Sequence, residues 1–347
     1  MNGKKWSITV LCITLAGLLS CAVFNMVIDP FMHYRGGLAG LEYPLNDERY
    51  INDGLQRYRD YKILITGTSM ALNFSPSKVS ELWGESAIKT AYSGAYYHEL
   101  ADNIENAISH NPGIDTVICS LDPNNLVVGY NLSAYEGSPE YLYDDNPFND
   151  VNYLLNKEVI TKSIAVINYT RAGNTTVSLD DYGRFDIYMP SGRDAVLATY
   201  ERLPEMDSQI VFGDAERETV HDNVTENFLR VARENPDVDF IFFVPPYSYC
   251  FWDAMARTRQ LEYVIDAEKY AVGLMLECNN VSVYAFDDDL DITTDLDNYT
   301  DTLHYTSDIC NVIAERIYIG EGRLTKDNYI EYYDRIEKIY SEYDYDL

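Results

Sequence analysis

Two short groupings of side chains in this 347-residue sequence have the types needed for acyl chemistry. The first is Gly67-Thr68-Ser69, which follows the short apolar run Tyr61-Lys62-Ile63-Leu64-Ile65-Thr66. The second is Asp301-Thr302-Leu303-His304, near the other end of the chain. A serine hydroxyl is a weak nucleophile until a base takes its proton. Histidine is the usual base, and it works best when a carboxylate fixes its tautomer and orientation. Asp301 and His304 share one short stretch and can supply orienter and base together. Ser69 stands where a strand gives way to a helix, so free backbone N–H groups at that start, its own included, can stabilise an oxyanion. Each grouping alone also reads as a helix cap. Their order and their placement against strands favour catalysis.

For such residues to meet, the chain between them must fold into a frame that brings its two ends together. Strands are predicted over 61–66, 89–92 and 116–121, with helices over 77–83 and 98–110 between them. The second helix carries Leu100, Ile104, Ala107 and Ile108 at helical spacing and stops at Asn111-Pro112-Gly113. This strand–helix–strand rhythm predicts a parallel α/β sheet, whose ligands collect at the carboxyl ends of the strands. Residues 124–205 are rich in Tyr, Asn, Asp and Gly and read as an inserted cap. The rhythm returns with a helix over 220–234, a strand over 240–244, a helix over 253–278, a strand over 281–286 and a helix over 307–319. The expected organisation is an N-terminal segment 1–29, a juxtamembrane approach 30–60, an α/β domain 61–320 and an acidic, Tyr-rich C-terminal helix 321–347.

Gly-Thr-Ser after the first strand, with Asp-x-x-His near the C-terminus, resembles the SGNH (GDSL-like) hydrolase superfamily over about residues 60–320. The resemblance implies a three-layer αβα, flavodoxin-like parallel sheet. It also implies Ser69 as nucleophile, His304 as base and Asp301 as orienter. In the family a second block supplies an oxyanion-hole glycine, and Ala91-Tyr92-Ser93-Gly94 offers Gly94. A third block normally reads Gly-x-Asn-Asp; here the chain has Ser120-Leu121-Asp122-Pro123-Asn124-Asn125. The glycine is absent and the asparagine displaced, leaving Asn125 or Asn124 as the third donor. The implied oxyanion hole is therefore Ser69, Gly94 and Asn125. The chain is similar to a membrane-anchored subgroup that includes the teichoic-acid D-alanylation protein and the alginate O-acetyltransferases. That likeness implies a cell-envelope glycopolymer substrate and an integral-membrane acyltransferase partner.

The anchor is legible directly. Lys4 and Lys5 precede an uncharged run over 8–28, whose 21 residues span roughly 31 Å at about 1.5 Å per residue. Trp6 sits at an interface position, and Asp29-Pro30 ends the run. A cleaved signal peptide would be shorter, and a lipoprotein reading at Leu18-Leu19-Ser20-Cys21 conflicts with the apolar residues that follow. The positive-inside rule places Lys4 and Lys5 in the cytoplasm and the chain after Asp29 outside. The 26 basic and 56 acidic residues leave a net charge of −30. Such a charge excludes a nucleic-acid binder and disfavours docking of the folded part on anionic lipid. The 31 tyrosines suit wet, sugar-binding surfaces.

Other chemistries lack their residues. Gly67-Thr68-Ser69-Met70 has no P-loop ending, and no HExxH occurs. The acidic run from Asp287 to Asp297 would need Gly and Glu at the sixth and twelfth positions of a calcium loop; it has Ile292 and Asn298 and reads as a solvated loop. No cofactor and no metal are expected. Cys119, Cys250, Cys278 and Cys310 are scattered without a CxxC and read as small buried hydrophobes, their pairing left open. Beyond His304, only His98, near Gly94, is a further site candidate. Two other function classes compete: a non-catalytic scaffold or binding protein of an envelope complex that keeps this fold, and an adhesin-like surface domain built on the Tyr-rich region.

Overall fold

The computed structural model describes residues 3–345 except 136, 138 and 145; the tips of the predicted anchor (1–2) and C-terminal helix (346–347) lie outside them. The described chain divides into two compact units. One comprises residues 1–59 and 137–178, the other 60–136 and 179–347.

The larger unit is a mixed α/β structure around a six-stranded sheet. Its strands are β1 (Ile63–Thr66), β2 (Ala87–Lys89), β3 (Thr116–Ser120), β4 (Asp239–Val244), β5 (Val281–Ala285) and β6 (Arg323–Leu324), in spatial order β2-β1-β3-β4-β5-β6. The first five pair in parallel and β6 is antiparallel. This is the flavodoxin-like order, with its switch point between β1 and β3. β1 and β3 are buried throughout and β4 over its last three residues, which is why Ile63-Leu64-Ile65 and Phe242-Phe243-Val244 read as continuous apolar runs without alternation. Helices cover both faces. Pro76–Trp83 and Ser307–Ile319 pack together as one layer. Tyr97–His110, the helical stretch 214–234 and Leu261–Met275 form the other, with Tyr329–Glu342 packed on Leu261–Met275.

Several boundaries differ from the sequence expectation. The domain does not stop at residue 320, because β6 completes the sheet and the C-terminal helix buries Tyr332, Tyr333, Ile336 and Tyr340 in the same unit. The helix expected over 253–278 is two, Tyr249–Arg257 and Leu261–Met275, broken at Arg259, whose φ is +58°. The helix expected over 220–234 begins at Asp214 and contains one π-turn, Thr225–Leu229. The cap expected over 124–205 is not one body. Its part 137–178 groups with the N-terminal residues, while 179–205 belongs with the sheet. Composition gave no sign of this, because the grouping is made by contacts between residues more than 100 positions apart.

The smaller unit contains the helices Gly3–Ile28, Glu48–Tyr58 and Lys157–Arg171. Gly3–Ile28 is long and apolar enough to cross a membrane. Its Asn25 is fully buried, donating through Nδ2 to Leu154 O (3.0 Å) and accepting from Ser163 Oγ (3.1 Å). Past the helix end, Asp29 accepts the Tyr153 hydroxyl (2.8 Å) and the backbone N–H groups of His33, Tyr34 and Arg35. Residues 30–59 of the expected 30–60 approach therefore group with the 137–178 stretch in this unit.

Tyrosine is used differently from the expectation. Tyr97, Tyr247, Tyr299, Tyr305, Tyr333 and Tyr340 are buried in the larger unit, and most of them spend their hydroxyls on loop backbone or carboxylates. The acidic run is likewise not merely solvated. Asp287 is buried, Asp289 and Asp295 cap short helical turns, and Asp289 also pairs with Arg316. Cys119, Cys250, Cys278 and Cys310 are buried free thiols.

Candidate active site

The turn after β1 is built so that one hydroxyl projects from it. Gly67 adopts φ +141°. A Cβ there would stand 2.1 Å from Ser120 Oγ, so only glycine lets the two turns approach this closely. Thr68 then acts as N-cap, its Oγ1 accepting Met70 N–H (3.3 Å), and Ser69 opens a short 3-10 turn, Ser69–Ala71. The turn after β3 clamps it. Ser120 Oγ accepts Thr68 N–H (3.0 Å), and Thr68 Oγ1 donates to Asp122 Oδ2 (3.1 Å). Asp122 is a buried hub: Tyr247 OH donates to its Oδ1 (2.5 Å) and Tyr97 OH to its backbone oxygen (2.7 Å). Burial holds both phenols well above their ordinary value, so they remain donors.

The second grouping is carried by a loop closed by the bridge between Tyr299 and Tyr305. Asp301 Oδ1 accepts the N–H groups of Leu303 and His304, both at 2.8 Å, while Oδ2 receives His304 Nδ1 at 2.7 Å. Tyr305 OH donates to Met70 O (2.8 Å), and Asn73 Nδ2 donates to Tyr305 O (2.9 Å), tying this loop to the Ser69 turn. The consequence is a contact across 235 positions, with Ser69 Oγ 2.7 Å from His304 Nε2. With Nδ1–H given to the carboxylate, Nε2 presents its lone pair to the hydroxyl. The edge-on ring of Phe185, 5.2 Å between centroids, flanks the imidazole. Burial pushes the Asp301 carboxyl up. The hydrogen bonds from His304 and the loop amides outweigh that, and the carboxyl ends below its ordinary value. The stabilisation from this pairing is accordingly complete above the ordinary aspartate range and is lost as pH falls through the lowered folded value.

Gly94 follows the end of β2. Tyr92 N–H on Gly67 O (2.9 Å) and Asn125 Nδ2 on Ala95 O (2.7 Å) hold its loop from both sides. Among the described residues the N–H groups of Gly94 and Ser69 have no hydrogen-bond partner. Asn125 is buried and uses its amide on the Ala95 carbonyl, while exposed Asn124 reaches Tyr247 OH (3.2 Å). The geometry makes Asn125 a brace for the Gly94 loop. Among the described residues, His98 makes an i,i+4 approach to Asp102 (3.7 Å) and no hydrogen bond or ion pair with Ser69 or His304.

Sequence reading missed three contributors: Asp122 as hub, the tyrosine staples, and Lys89. Lys89 is fully buried on β2, its Nζ donating to Leu72 O (2.5 Å), Phe74 O (2.8 Å) and Asp180 O (3.4 Å). It ties down the chain just after the Ser69 turn. A lone lysine in an apolar strand is the only signal that could have marked it. Burial lowers its ammonium to about 8. Lys89 therefore sheds its proton in the folded chain before it would in the unfolded one, and its own contribution to stability rises with pH above about 8. The melting-temperature difference between the native chain and Lys89→Met is expected to move in favour of the native chain from pH 8 to 9.5, since the other titrating groups are common to both. Parallel curves for the two proteins would rule it out.

No family model and no curated protein matches the chain. Among solved structures it is similar to a Streptococcus pneumonia protein described provisionally as a platelet activating factor. That match has 14% identity and a TM-score of 0.39, and it covers 80% of this chain and 91% of the other.

Proposed function

We propose that the chain is a serine esterase or O-acyltransferase of SGNH type, working through Ser69, His304 and Asp301. The observation that carries this reading is the relay of two 2.7 Å contacts, Ser69 Oγ to His304 Nε2 and His304 Nδ1 to Asp301 Oδ2. Ser69 Oγ attacks an ester carbonyl as His304 Nε2 takes its proton. The carbonyl oxygen becomes an oxyanion, held by the N–H groups of Ser69 and Gly94. Collapse breaks the ester C–O bond, and the imidazolium returns its proton to the departing alcohol. The acyl-serine then passes its acyl group to water or to a second hydroxyl, with His304 again as base. Asp301 stabilises the imidazolium and remains ionised.

In this reading Gly3–Ile28 is an uncleaved single-pass anchor with Lys4 and Lys5 inside, so the site works outside the cytoplasm. The substrate is an envelope glycopolymer, and an integral-membrane acyltransferase supplies the acyl donor when the reaction is a transfer. The contrasting reading is a non-catalytic scaffold, favoured by Asn125, whose amide is spent on Ala95 O where the family has an oxyanion donor. A fluorophosphonate probe separates the two. It is expected to label the full chain at Ser69, to label neither Ser69→Ala nor heat-unfolded protein, and to leave the scaffold reading standing if native protein takes up no probe.

A further inference from the structure

The apolar helix Gly3–Ile28 does not leave its membrane cleanly. Its last two turns are gripped by residues 151–171 of the same unit. Asn25 is the polar pivot, with 0% exposure and hydrogen bonds to Leu154 and Ser163. The uncharged run is just long enough for the hydrocarbon core, and Asn25 lies three residues, or about 4.5 Å, before its end. A polar amide at that depth must be satisfied by protein. The groups that satisfy it are therefore carried to the same depth as Asn25. They cannot stand off in bulk water while the helix spans.

The side chains these segments expose fit that position. Phe148 is 90% exposed, and Val151, Leu155 and Ile164 are exposed as well. The helix itself exposes Val23, Met26 and Val27 beside them in sequence from Asn25. Four large apolar side chains left uncovered on segments bonded to one end of an apolar helix need an apolar or interfacial medium. The local charge also departs from that of the chain. Residues 148–164 carry Lys157 and Lys162 against Asp150 and Glu158, with Lys162 paired to Asp47, so this stretch is neutral in a chain of net charge −30. A neutral stretch with uncovered aliphatic and aromatic side chains can rest at a headgroup boundary without the repulsion an acidic surface would meet there.

We infer that residues 148–164 form an interfacial foot that lies in the headgroup layer of the membrane crossed by Gly3–Ile28. It rests on the reading of that helix as an anchor. The overall acidity argues against a broad electrostatic docking of the chain on anionic lipid; the foot is local and chiefly apolar, held down by its attachment to the anchor.

The test uses the full chain in vesicles of phosphatidylcholine with a minority of phosphatidylglycerol, their acyl chains brominated near the headgroup. An environment-sensitive fluorescent amino acid is placed singly at Leu15, Phe148 or Ile164, all exposed positions. Emission at Phe148 and Ile164 is expected to fall by about half relative to unbrominated vesicles, with blue-shifted maxima. A blue shift at Leu15 with unshifted, unquenched probes at Phe148 and Ile164 overturns the foot and leaves the anchor intact. No shift at any of the three positions removes the anchor reading, and the foot with it.

Discussion

Replacing Ser69 by alanine is expected to lower turnover of p-nitrophenyl acetate by about 10,000-fold or more, with the melting temperature little changed. The loss is large because in the proposed reaction the hydroxyl is the bond-forming atom. The fold should be indifferent, because Ser69 Oγ makes its contact with His304, whereas the turn is held by Thr68, Ser120 and Asp122. His304→Ala should cost about as much, and the double variant little more, since members of a relay act as one unit. Asp301→Asn should fall by about 1,000-fold or more. Its oxygen can still accept the Leu303 and His304 amides, so the loop survives, but the carboxylate that fixes the Nδ1–H tautomer is gone. Turnover of Ser69→Ala within tenfold of the native rate would end the esterase and transferase proposal.

Gly67→Ala should be strongly damaging, costing about 3–5 kcal/mol of stability. Two independent penalties meet there. The residue holds φ +141°, which a side chain rarely adopts, and its added methyl would stand 2.1 Å from Ser120 Oγ and 3.0 Å from the Cβ atoms of Ser120 and Ala71. Neither neighbour is a flexible tip that can swing aside. The companion variant Gly67→Ala/Ser120→Gly removes the Ser120 contacts but keeps the backbone strain and gives up the bond to Thr68 N–H. It should therefore recover part of the lost melting temperature and not all of it. A single Gly67→Ala chain that melts like the native protein would show that the turn relaxes freely. No rescue in the double variant would put the whole cost on the backbone.

The relation between sequence and structure differs from element to element, and the differences follow from the range of the interactions involved. Local patterns decided most of the frame. The runs Ile63-Leu64-Ile65 and Phe240 to Val244 could only be buried strands, Asn111-Pro112-Gly113 had to stop a helix, and an uncharged run of 21 residues could only be a long apolar helix. Each of these follows from periodicity, backbone freedom or solvation within a dozen residues. The types and order of Ser69, Asp301 and His304 were also legible, since they lie on short turns with their own local signals. Their meeting was decided by tertiary structure alone: the strand order that sets β1 beside β3, and the Tyr305 hydroxyl and Asn73 amide that draw the two turns together. The same holds for Asn125, whose side-chain amide reaches the Ala95 carbonyl only because of where β2 ends, and for the 137–178 stretch, which joins the N-terminal helix through Asn25 and Asp29. Lys89 and the buried tyrosines escaped notice because a polar group inside a core is stabilised only by partners distant in the chain, and a one-dimensional pattern carries no record of which carbonyls will be waiting.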